Sequence, residues 1–164
     1  MELRQYEALV LALGLALRAR GWCMATAESC TGGAIAAACT TVAGSSDWFE
    51  RGFVTYSNAA KVALLGVDAT LIETHGAVSE AVARAMVEGA LVHAPVQLAV
   101  AVTGVAGPGG GVPGKPVGTV WLALAAADGG STSAERLQLG GDRDAVRAQT
   151  LAIALQRLLA RASA

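Results

Sequence analysis

The sequence predicts an α/β fold: a three-layer α/β/α sandwich with a mixed, mostly parallel sheet that carries one antiparallel hairpin. Three observations predict it. Strand-length apolar runs alternate with longer helical patterns along most of the 164 residues, the order that builds parallel sheets covered by helices. The stretch "QLAVAVTG" (97–104) is almost continuously apolar, as a strand covered on both faces must be. Composition is 54% hydrophobic but only 4% aromatic, so the interior must be assembled from Ala, Val, Leu and Ile, whose small volumes permit close helix-to-sheet contact. A chain of this length supports one sizeable core, and residues 1–164 are expected to form a single domain without repeat or linker.

The elements follow in order. Glu7 to Arg20 has the apolar content and length of a helix, with Gly21 at its C-cap. "WCMATAE" then reads as a short buried strand, and Thr31 to Val42, rich in small residues, reads as a helix packed closely on the sheet. "RGFVTYS" is a second strand, "NAAKVALLG" a helix, and Ser79 with Glu80 opens a periodic helix to about His93. After "QLAVAVTG", residues 104–116 hold six glycines and three prolines and cannot be regular structure. "VGTVWLALAAADGGSTSAERLQL" reads as a hairpin around a Gly-Gly turn, and Asp142 caps a long helix reaching Ala162.

Charge and length exclude several classes. A net charge of −1 gives no broad basic surface, so binding to a nucleic-acid backbone has no electrostatic support. Mean hydropathy is positive, yet the best membrane candidate, Ala8 to Leu17 between Glu7 and Arg18, is far short of the ~20 residues a spanning helix needs. The start, "MELRQYEALV", lacks a signal-peptide pattern, which points to the cytoplasm. Cys23, Cys30 and Cys39 form no C-x-x-C pair and suggest neither a disulfide framework nor a metal site.

Chemistry concentrates in four places. In "AESCTGG" (27–33), Ser29 falls at a strand-to-helix turn, where it reads either as a helix cap or as a nucleophile beside free N–H groups. Cys30 competes, but a catalytic thiol needs an imidazole partner, and both histidines, His75 and His93, sit in or near helical segments. Without a histidine, Ser29 needs another base. The chain has only two lysines, Lys61 and Lys115, and Lys61 follows a strand so that it can reach the same sheet edge, with Tyr56 and Ser57 nearby. On spacing alone a solvated helix lysine remains the stronger reading. Gly109 to Lys115 matches the G-x-x-x-x-G-K part of a P-loop, but Pro116 replaces the metal-binding Ser or Thr and a strand follows, which excludes a nucleotide triphosphatase. The segment still suits a rim that wraps a ligand with backbone N–H groups, above Thr103 and Gly104. In "GGDRDAVR", Arg143 and Arg147 lie on one face at a helix start, an arrangement suited either to a phosphate or to surface ion pairs.

In this order, "AESCTGG", "SSDWFERGFVTYSNAAK", "GAVSEAVARAM", "TGVAGPGGGVPGKPVGTVW" and "GDRDAVR" resemble the C-terminal domain of the competence/damage-inducible protein CinA and its stand-alone versions, the nicotinamide-nucleotide amidohydrolases (NMN deamidases). The resemblance covers nearly the whole chain. It implies hydrolysis of the carboxamide of nicotinamide mononucleotide (NMN) to nicotinate mononucleotide and ammonia, a step of pyridine nucleotide salvage, with no metal and no cofactor. It further implies Ser29 as nucleophile, Lys61 as general base and Tyr56 as hydroxyl relay or orienting group. Backbone N–H groups of Cys30, Thr31, Gly32 and Gly33 would then form the oxyanion hole. Arg143 and Arg147 would take the phosphate, while Thr103, Gly104, Gly109, Gly110 and Lys115 close around the nucleotide. The other large domain of the longer relatives is not in the sequence, which favours the deamidase over a two-domain fusion. The expected partner is the nucleotide alone, with no nucleic acid and no membrane, in a homodimer. Two rivals are a nucleotide-binding module without turnover, linked to competence or DNA damage, and a hydrolase of another small amide.

Overall fold

A computed structural model describes residues 2–164. After a short 3-10 turn, the order is α1 (Glu7–Arg20), β1 (Met24–Glu28), α2 (Ala34–Cys39), β2 (Phe49–Val54), α3 (Asn58–Leu65), α4 (Ala69–His75), α5 (Glu80–His93), β3 (Leu98–Gly104), β4 (Thr119–Ala126), β5 (Ser133–Gln138) and α6 (Arg143–Ser163), with a second 3-10 turn before β2. The five strands form one sheet in the order β2-β1-β3-β4-β5. β1 pairs in parallel with β2 and β3, whereas β3–β4 and β4–β5 are antiparallel. Every strand but β4 therefore runs the same way, and β4–β5 is the expected hairpin.

The apolar run of β3 alternates in size, and that alternation sorts the layers. Leu98, Val100 and Val102, with Leu122 and Leu124 of β4, face a core filled by α1, α2 and α6. Ala99 and Ala101, with Ala123 and Ala125, face α5 and the α3–α4 segment. Alanine on that face lets α5 lie close to the sheet. Close approach recurs between helices: a Cβ built on Gly89 of α5 would stand 2.0 Å from the Leu65 carbonyl oxygen at the end of α3. Gly89→Ala should therefore destabilise the protein, because overpacking of about 3 kcal/mol outweighs a helix-propensity gain of about 1 kcal/mol. The net of about 2 kcal/mol should lower Tm by roughly 4–8 °C, which a thermal melt followed by circular dichroism would read; an unchanged Tm would mean that α3 and α5 separate freely.

Three elements differ from the sequence reading, the first being the second strand, which spans Phe49–Val54 rather than "RGFVTYS" (51–57). The helix expected over Thr31–Val42 is only Ala34–Cys39, because Gly32 (φ 62°) and Gly33 (φ 93°) both adopt the left-handed region and cannot extend it. α4 lies in a stretch with no strong period, where Asp68 caps it by accepting from the Thr70 N–H (2.8 Å).

Topology fixes where a ligand can sit. From β1 the chain crosses to β2 on one side, while β3 pairs on the other, so the carboxyl end of β1 is a switch point of the sheet. Ser29, Thr55 and Gly104 all emerge there. The turn-rich segment 105–118 leads from β3 into β4 at this edge, and α6 starts there because β5 runs parallel to β1.

Candidate active site

Ser29 is the first residue beyond β1, and its N–H still donates to Val102 O (3.0 Å), so the ladder holds its backbone. Lys61 lies in α3, which Ser57 caps by accepting from the Ala60 N–H (3.0 Å). Its side chain is 1% exposed, and Nζ stands 3.0 Å from Ser29 Oγ and 2.9 Å from Thr55 O. Burial holds the Lys61 amine below its ordinary range. A neutral amine within hydrogen-bond reach of a hydroxyl can act as its base. The juxtaposition expected of these two residues is thus present.

Cys30 reaches the same space but has different chemistry. It is 6% exposed, and burial pushes its thiol up to about 12. At neutral pH it carries almost no thiolate and is inert as a nucleophile. His75 and His93 stand apart: the His75 carbonyl accepts from Lys115 Nζ (2.7 Å), and His93 Nδ1 lies 2.8 Å from Gly89 O within its own helix.

The turn after Ser29 departs from expectation. The α2 start is capped from inside by Glu28, fully buried at the end of β1. Its Oε2 accepts from Thr31 Oγ1 (2.6 Å), Gly33 N–H (3.0 Å) and Ile35 N–H (3.1 Å), and its Oε1 accepts from Ala36 N–H (2.8 Å) and Thr26 Oγ1 (3.2 Å). Gly32 N–H closes the turn onto Ser29 O (3.0 Å). Gly32 and Gly33 therefore have no free N–H for an oxyanion; the N–H of Cys30, which lines the cavity, and that of Thr31, buried just behind it, remain. Ser29 itself caps nothing. Glu28 was missed in the sequence, although an acid closing an apolar strand just before a helix start signals orphan donors waiting for it.

A cavity of about 250 Å³ opens over the dyad, lined by Ser29, Cys30, Tyr56, Lys61, Thr103, Gly104 and Arg143 together with Asn58, Ala77, Val78 and Ala106. Arg143 reaches it from α6, with Nη1 donating to Gly107 O (2.8 Å) and Nη2 to Tyr56 Oη (2.7 Å). Tyr56 is 60% exposed at the rim, and its hydroxyl accepts from Arg143 rather than bonding to Ser29 or Lys61. Thr103 is buried and donates to Ala77 O (2.8 Å), fixing the Ala77–Val78 segment as one wall. Arg147 lies off the cavity, with Nη2 donating to Thr31 O (2.9 Å) and Nη1 3.8 Å from Asp144 Oδ1. Gly109, Gly110 and Lys115 also stand outside it, since Lys115 pins the loop to the end of α4 instead. Asn58, Ala77 and Val78 were not anticipated, and the last two carry no chemical signal a sequence could show.

No helix among the described residues is long and apolar enough to cross a membrane, and none of their His, Cys, Asp and Glu side chains gather in threes that could hold a metal ion.

Comparison with known proteins gives the family and the fold. The family model of the CinA C-terminal domain matches residues 6–162. A nicotinamide-nucleotide amidohydrolase PncC of Enterobacter agglomerans is 52% identical over 159 residues, covering 97% of this chain and 96% of that protein. One from Pseudomonas putida is 56% identical over 151 residues, 92% and 93% of the two chains. The crystal structure of the competence/damage inducible protein CihA from Agrobacterium tumefaciens superposes with a TM-score of 0.91 at 45% identity, over 94% of this chain and 93% of that one.

Proposed function

The chain belongs to the CinA C-terminal domain family, and from that premise we propose that it is a nicotinamide-nucleotide amidohydrolase working through a Ser29–Lys61 dyad. The observation that carries this reading is the 3.0 Å approach of Lys61 Nζ to Ser29 Oγ, made by a lysine held buried at 1% exposure. In the proposed reaction, neutral Lys61 removes the Ser29 proton as Oγ attacks the carboxamide carbon of NMN. The Cys30 and Thr31 N–H groups take the oxyanion. The Lys61 ammonium returns its proton to the leaving nitrogen, the C–N bond breaks, and ammonia departs from an acyl-enzyme on Ser29. Water then attacks the ester carbon and gives a proton to Lys61, which passes it to Ser29 Oγ as nicotinate mononucleotide leaves. Thr55 O keeps Nζ aimed at Ser29 throughout.

Arg143 is proposed as the phosphate anchor, since it is the cation at the rim of the cavity, with Tyr56 orienting it. Arg143→Ala should raise KM for NMN about 10- to 100-fold, the equivalent of one charge-assisted contact of about 1.5–3 kcal/mol, while kcat changes little. Steady-state kinetics on NMN and on its dephosphorylated riboside check this: the variant should lose the preference for the nucleotide, and an unchanged KM would remove Arg143 from the phosphate site. A phosphorylated metabolite as substrate supports the reading of a cytoplasmic enzyme of pyridine nucleotide salvage. The decisive assay is ammonia release from NMN by the purified protein. The module reading without turnover gives no account of a lysine buried against a serine hydroxyl.

A further inference from the structure

We infer that the buried carboxylate of Glu28 is a positioning residue for acyl transfer, holding the Cys30–Thr31 peptide in the orientation that receives the oxyanion; the inference rests on the amidohydrolase reading. Glu28 is fully buried, and a buried charged group is retained only against a large desolvation cost unless its partners are complete. They are complete here, with donors on both oxygens. A six-residue helix does not require such a cap, since a Ser, Thr, Asp or Asn at the N-cap would serve it. What a carboxylate adds is a choice among the donors. Glu28 takes the N–H groups of Gly33, Ile35 and Ala36, so the helix start offers none of these to a ligand. The developing negative charge therefore has the N–H of Cys30 at the cavity wall, with Thr31 directly behind it, and no competing donor further along the turn.

Thr31 is held from two sides. Its Oγ1 donates to Glu28 Oε2 (2.6 Å) and its carbonyl accepts from Arg147 Nη2 (2.9 Å), so both its side chain and the peptide that follows it are tied down. The same residue also ties the turn to the base. Glu28 O accepts from the Thr55 N–H (2.8 Å), and Thr55 O holds Lys61 Nζ (2.9 Å). Nucleophile, oxyanion donors and base are thus registered through one residue, and preorganised donors of this kind contribute to kcat rather than to substrate affinity.

The test is steady-state ammonia release from NMN by wild type, Glu28→Gln, Thr31→Ala and Thr31→Ser, each normalised to folded protein measured by circular dichroism at the assay temperature. In Glu28→Gln an amide NH₂ faces a backbone N–H, so the turn must shift. The expected kcat loss is about 10- to 100-fold with KM within about twofold. Thr31→Ala should lose kcat in the same direction, and Thr31→Ser, which keeps the hydroxyl, should restore it; a purely structural role would instead lower the folded fraction and leave kcat per folded molecule unchanged. Folded Glu28→Gln with wild-type kcat overturns the inference and leaves the amidohydrolase reading standing. Should Glu28→Gln not fold, Thr31→Ala turning over at the wild-type rate overturns it equally. A wild-type protein that releases no ammonia from NMN overturns the reading and the inference together.

Discussion

Ser29→Ala should lower kcat for ammonia release from NMN by on the order of 10⁴-fold or more, with the fold and nucleotide affinity retained. The magnitude follows from what the hydroxyl does. Without Oγ no acyl-enzyme can form, and what remains is the catalysis that binding and oxyanion donors provide to direct attack by water. No neighbour can substitute. The Cys30 thiol is pushed up to about 12 by burial, so it supplies almost no thiolate at neutral pH. Tyr56 has its hydroxyl against Arg143. Oγ adds little to stability: its loss removes one acceptor from Lys61 Nζ, which keeps Thr55 O, while the Ser29 backbone is held by Val102 O and the helix start by Glu28. Tm should accordingly move by less than about 2 °C. Ammonia assays, calorimetric titration with product nucleotide and intact-mass analysis of acid-quenched turnover mixtures check the three parts. A nicotinoyl-nucleotide adduct is expected on wild type and absent from the variant. Full turnover by Ser29→Ala would end the covalent mechanism.

The layers of the fold were legible because they rest on period and caps: Asp142 and Ser79 do cap α6 and α5, and Gly21 does end α1. The size alternation in "LAVAV" held more than its apolar continuity suggested, since it assigns α5 to the alanine face and α1, α2 and α6 to the leucine and valine face. Local rules failed where a distant group decides the outcome. "TGG" reads as the start of a helix until two left-handed glycines and an internal carboxylate shorten it. Scarcity of lysine singled out Lys61, but spacing alone favoured a solvated helix lysine; the resemblance to the CinA C-terminal domain pointed to its pairing with Ser29, and the switch point that puts both strand ends at one edge accounts for their approach. The division of labour between Arg143 and Arg147 was not readable: they lie one turn apart, yet one meets Tyr56 at the cavity and the other meets Thr31 behind it. Helical spacing assigns two residues to one face, but the neighbours that each meets come from other elements.

Lys61→Met should also lose activity, by about 10²- to 10⁴-fold in kcat as expected for removal of a general base, and it should change the dependence of stability on pH. Burial is the cause of the lowered Lys61 ionisation, and the sign follows from linkage. A lysine whose folded value lies below its unfolded value binds more protons when unfolded, so it disfavours the fold most at pH below the folded value. That penalty fades as pH rises through the folded value towards about 10.4, where the unfolded lysine also deprotonates. Methionine has a similar unbranched length and no charge, so its stability lacks this dependence. It does leave Thr55 O without the Nζ donor, a loss of about 1–3 kcal/mol that offsets part of the gain. The robust quantity is therefore the slope: wild type should gain on Lys61→Met as pH rises from below the lowered folded value of Lys61 towards about 10.4. Urea unfolding at several pH values measures it. In the same window, wild-type kcat/KM should rise through one ionisation below the ordinary lysine range, and the residual activity of Lys61→Met should lack that step. If both proteins kept parallel stability profiles, Lys61 would ionise alike folded and unfolded despite its burial, and the dyad would lose the feature that makes its lysine a base.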